Sequence, residues 1–74
     1  MKYKVGDLIK INYNEHVMFG FFIEERNTNY NVRVKILIRD NELIHNNSFP
    51  TKYEECSLPT EEEIKVVNKI LTFG

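Results

Sequence analysis

Apolar and polar residues alternate through most of this chain, and the period of that alternation changes once, at Pro59. Before Pro59 the period is two. It is clearest over Tyr30 to Arg39, where Val32, Val34, Ile36 and Ile38 alternate with Asn31, Arg33, Lys35, Leu37 and Arg39. β-Branched residues at every second position predict a strand with one buried face. Leu8 to Tyr13 reads as an earlier strand, entered through Val5-Gly6-Asp7. There Gly6 can take the dihedrals of a sharp turn, and Asp7 can hydrogen-bond the backbone just beyond it. Asn14-Glu15 supply the next turn, leading into a run from Val17 to Glu25 that is dense in aromatics. Gly20 within it allows a strong bend.

Asp40 and Asn41 both tolerate positive φ, which predicts a two-residue hairpin turn with Arg39 facing Glu42 across it. Glu42 to Asn46 makes a fourth run, broken by Asn47-Ser48-Phe49-Pro50, and Lys52 to Ser57 makes a weaker fifth. After Pro59 the period becomes helical. Thr60 and Glu63 form a capping-box pair, Glu61, Glu62 and Glu63 suit the positive end of a helix dipole, and Ile64, Val67, Ile70 and Leu71 make one apolar stripe. Lys65 and Lys69 fall on the polar side. The expected core is Val5, Ile9, Ile11, Phe21, Ile23, Val32, Val34, Ile36, Ile38, Ile44, Leu58, Ile64, Val67 and Leu71. Neighbouring strand residues point to opposite faces, so Phe19, Phe21 and Phe22 cannot all enter one core. At least one points away, to be covered by the helix or to join an exposed apolar patch.

Five short strands, a long bent second strand and a tight hairpin after the third resemble an SH3-like barrel. Val5-Gly6-Asp7-Leu8-Ile9-Lys10-Ile11 is similar to the opening of KOW, Tudor and related SH3-like domains. Gly20 to Glu25 looks like their second strand, and Val32 to Asn41 like their third strand and hairpin. The resemblance implies a five-stranded SH3-like barrel over residues 5–58, to which the helical period adds a C-terminal α-helix over 60–72, together one mainly β domain. That superfold hosts many unrelated binding functions, so it implies no particular one.

Composition narrows the function classes. A chain of 74 residues makes one small domain that buries roughly 60% of its unfolded surface. Its lone Cys56 cannot pair internally, which agrees with a reducing cytoplasm. Lys2 and Lys4 are followed by Val5-Gly6-Asp7 and not by the apolar run of a signal peptide, and Val17 to Ile23 is too short to cross a bilayer. The expected location is therefore cytoplasmic. Abundant Asn, Ile, Lys and Tyr, whose codons are AT-rich, associate the chain with an AT-rich bacterial or phage genome, hence with a host cytoplasm. A net charge of −1 disfavours a strong nonspecific grip on nucleic acid.

No residues form a catalytic, metal or cofactor constellation. His16 and His45 stand in metal spacing neither with each other nor with Cys56, and tetrahedral zinc needs four ligands. His16 reads as an exposed turn residue and His45 as lying on an outer strand face. Glu24-Glu25 and Glu54-Glu55 are strand neighbours that diverge, and the three glycines at 6, 20 and 74 make no phosphate loop. The candidate binding surface is the outer face of the third strand, Arg33, Lys35 and Arg39 with Leu37 among them, beside an exposed Phe19 or Phe22. The expected function is a non-enzymatic module that binds a protein or itself, such as a phage accessory or host-interaction factor. The alternative is a KOW- or Tudor-like nucleic-acid adaptor in transcription or translation.

Overall fold

A computed structural model describes residues 2–44 and 48–73. The strands are β1 (Leu8–Tyr13), β2 (His16–Glu25), β3 (Val32–Arg39), β4 (Glu42–Leu43), β5 (Phe49–Thr51) and β6 (Cys56–Ser57). A 3₁₀ turn, Tyr53–Glu55, joins β5 to β6, and helix α1 (Glu61–Phe73) ends the chain. All ladders are antiparallel, in the order β4–β3–β2–β1–β6, with β5 pairing the other half of β3.

Four features depart from the expected barrel, one being that the fifth run, Lys52 to Ser57, is strand only at Cys56–Ser57 after the 3₁₀ turn. Among the described residues no ladder joins β6 to β4 or β5, so the six strands form one open sheet. The segment expected to break the fourth strand, Phe49-Pro50-Thr51, is itself a strand along β3. Phe49 packs edge-on against Tyr13, with ring centroids 5.5 Å apart, and Thr51 is buried, while exposed Pro50 sits on an edge strand where its missing N–H costs no ladder bond. The predicted run to Asn46 is strand only through Leu43, and His45 to Asn47 lie outside the described residues.

The local turn chemistry follows the residue types. Asn14 and Glu15 have φ of 47° and 67°, and Asp40 and Asn41 have 50° and 66°. Both two-residue hairpins thus hold two successive left-handed residues, which matches the twist of the flanking strands. Arg39 and Glu42 are cross-strand partners, as the hairpin requires. At the start of the chain the Asp7 N–H donates to the Lys4 carbonyl at 2.9 Å, and Gly6, with φ of 93°, takes the third turn position. Asp7 caps backward, accepting the Lys4 N–H at 2.9 Å. Val5 is then the turn's tip and is exposed, while Tyr3 swings into the core beside Phe22.

The sheet buries apolar residues on both faces. Tyr3, Ile9, Ile11, Met18, Phe22, Val32, Val34 and Ile36 form the larger core. Phe19, Ile38 and Val67 form a smaller one beneath α1, with Leu8, Val17, Leu37 and Ile70 packed around it. Bulges create this arrangement. β2 pairs regularly with β1, so Met18 and Gly20 share the face of Ile9 and Ile11, and Phe19 takes the other. Against β3 the register slips between Phe19 and Gly20, which pair with Ile38 and Ile36. Leu37 is the extra residue, and past it Ile38 joins Phe19 on the helix side. A second slip, between Phe22 and Glu24, leaves Ile23 extra on β2.

The core therefore differs from the expected one. Phe19 and Phe22 are both buried and Phe21 and Ile23 only half-buried, because β2 serves both faces. Ile44 is half-buried, and Leu58, Ile64 and Leu71 are exposed, since α1 lies on the sheet face and is held centrally by Val67.

Candidate functional site

The predicted binding face does not assemble. Phe19 is 5% exposed and Phe22 1%, so neither forms the exposed aromatic patch expected on β2: one lies beneath α1, with only an edge reaching the surface there, and the other is in the main core. Leu37 is not a lone apolar residue among charges but half-buried packing around the core beneath the helix. Arg33 and Lys35 share a face with Glu24 and Phe21, their ladder partners. Arg39 pairs with Met18, three residues from Phe21, and so falls on the opposite face. The bulge at Leu37 thus splits the basic row. Arg33 donates to the Ser48 hydroxyl, and Glu24 accepts from Arg26 at 2.5 Å, which leaves Lys35, among the described residues, as the exposed cation of that face.

A different site forms where α1 begins. A cleft of about 430 Å³ opens between the first two turns of the helix and the Asp40–Asn41 turn. Val17, Phe19 and Val66 line it with apolar surface, and Asp40, Asn41, Glu62 and Glu63 supply the polar part. Each wall is locally fixed. On the hairpin side, the Asp40 N–H donates to the Val17 carbonyl at 2.8 Å, and Asp40 Oδ1 accepts the Val17 N–H at 3.0 Å. Asp40 Oδ2 lies 2.6 Å from His16 Nδ1. The Val17 amide, and after it His16, hold the Asp40 carboxyl below its ordinary range. His16 is thus exposed, as expected, but opens β2 and is paired.

On the helix side the predicted capping box is present. The Thr60 N–H donates to Glu63 Oε1 at 2.9 Å, and the Glu63 N–H donates to the Thr60 hydroxyl at 3.2 Å. The second Glu63 oxygen lies 2.6 Å from Lys10 Nζ on β1, tying the helix start to the sheet. Lys10, then the Thr60 amide, hold Glu63 below the usual carboxylate range. Glu62 is exposed and makes no ion pair among the described residues.

This cleft is not legible in the sequence, where the turn accounts for Asp40 and the helix dipole for Glu62, and Val66 lies off the predicted helical stripe. That off-stripe valine is the signal that marks a second apolar flank on α1. Elsewhere, Cys56 is half-buried, donates its S–H to the Lys52 carbonyl at 3.3 Å, and is pushed up to about 11, chiefly by burial. A thiol so protonated is a poor nucleophile near neutral pH. Among the described residues no three of His, Cys, Asp and Glu group as metal ligands, and no helix is long and apolar enough to cross a membrane. No protein-family model matches the chain, no curated protein matches it, and no solved structure matches it.

Proposed function

We propose that this chain is a small, non-enzymatic protein-interaction module. The observation that carries this reading is the apolar arc of α1, which extends on both flanks beyond the part that the sheet covers. Val67 is 1% exposed, whereas Val66 is 47% and Phe73 82% exposed on one flank, and Ile64 and Leu71 lie open on the other. A single exposed apolar side chain needs no explanation, but several on one 13-residue helix make a surface of the kind partners cover. The SH3-like reading is supported by the ten-residue bulged β2 and the two-residue turn after β3. Use by a phage as an accessory or host-interaction factor remains part of this proposal.

The nucleic-acid alternative draws on Arg33 and Lys35, yet Glu24 shares their face and opposes phosphate. Capture from cell lysate, with and without nuclease, separates the two. The expected partner survives nuclease, is retained by Arg33→Glu/Lys35→Glu, and is lost on Val66→Asp/Phe73→Asp. Loss of capture on nuclease treatment and on charge reversal would favour the nucleic-acid adaptor. Leu37→Asp is unsuitable here, since it would disturb the packing beneath α1.

A further inference from the structure

We infer that the cleft between α1 and the Asp40–Asn41 turn receives a lysine or arginine side chain from a partner protein, an assignment that rests on the interaction-module reading. Its shape and charge point to that chemistry together. Val17, Phe19 and Val66 offer apolar surface for an aliphatic stem, while Glu62 offers a carboxylate without an ion pair among the described residues for the cationic head, with the already engaged carboxylates of Asp40 and Glu63 beside it. Lysine and arginine divide in this way, burying the stem and keeping the charge at the rim.

The charge balance favours a cation. Among the described residues Lys10 pairs with Glu63 and Arg39 stands near Asp40, whose close partner is His16, so three carboxylates face two permanent positive charges and Glu62 has no ion pair. An anionic group would meet this surplus negative charge, and a purely apolar side chain would leave the carboxylates without a new partner. The volume, about 430 Å³, falls within the roughly 300–1,000 Å³ of ligand sites. The mouth is open, and its walls come from two locally braced elements, so little rearrangement is needed on binding.

The test is an NMR titration of the isotope-labelled protein with acetyl-Val-Arg-Val-amide and with the same peptide carrying neutral citrulline in place of arginine. The arginine peptide is expected to shift the amides of Val17, Asp40, Asn41, Glu62 and Val66. Citrulline should weaken binding about two- to fivefold, the range measured for exposed ion pairs. Raised salt should reduce the difference by screening. Glu62→Gln, an exposed change that leaves the capping box intact, should weaken the arginine peptide and not the citrulline one. Equal binding of both peptides, or no shift at those amides, would overturn the assignment. Nuclease-resistant capture that depends on Val66 and Phe73, without arginine-peptide binding, would leave the module reading standing and overturn this inference alone.

Discussion

A β-carbon on Gly20 would lie 2.3 Å from the Lys35 carbonyl oxygen and 2.7 Å from Val34 Cγ1. The nearer obstacle is backbone, which cannot rotate away, so the close approach of β2 and β3 at the bulge requires glycine. Gly20→Ala is expected to cost about 1–3 kcal/mol as overpacking, read from denaturant unfolding. An unchanged midpoint would mean that the ladder can widen there freely. Val34, fully buried in the larger core, tests the opposite error. Val34→Ala should cost roughly 1–3 kcal/mol through lost burial and the cavity left behind. A cost near zero would show that this face of β3 does not carry the core.

At the scale of elements, what could be read from the sequence was whatever depends on near neighbours. β1, both two-residue hairpins, the capping box and the start of α1 at Glu61 all follow from residues within a few positions of one another. β3 showed its four inward residues by alternation, and all four are buried. Alternation did not show that Ile38 belongs to a different core, because a bulge depends on the partner strand. The same gap hid the burial of Phe19 and Phe22, the division of Arg33 and Lys35 from Arg39, and the cleft. α1 also gives a pH test. Glu63 and Asp40 are held below their ordinary values of 4.5 and 3.8, so the folded state releases these protons more readily than the unfolded chain. Their contribution to stability is full above those values and is lost as pH falls through the lowered ones. Melting temperature should therefore drop below about pH 4.5, and Glu63→Gln should make that drop shallower. Identical slopes for the two proteins would mean that the Lys10–Glu63 pair contributes nothing.

Across the whole molecule, the sheet has two unequal sides. Among the described residues one face closes over eight buried apolar residues, whereas the other is covered by a helix with one fully buried residue and one ion pair to the sheet. Local stability should follow that inequality. Amide hydrogens of α1 are expected to exchange at a lower free energy than those of β1, β2 and β3, as measured by native-state hydrogen exchange. Equal protection would mean that the helix and sheet open only together. With so small a contact beneath it, α1 is expected to open as a separate unit, one that carries Glu62, Glu63 and Val66. A ligand in the cleft would bridge this unit to the hairpin and slow its exchange. An element held less firmly than the sheet would then report occupancy, even where no backbone atom changes its mean position.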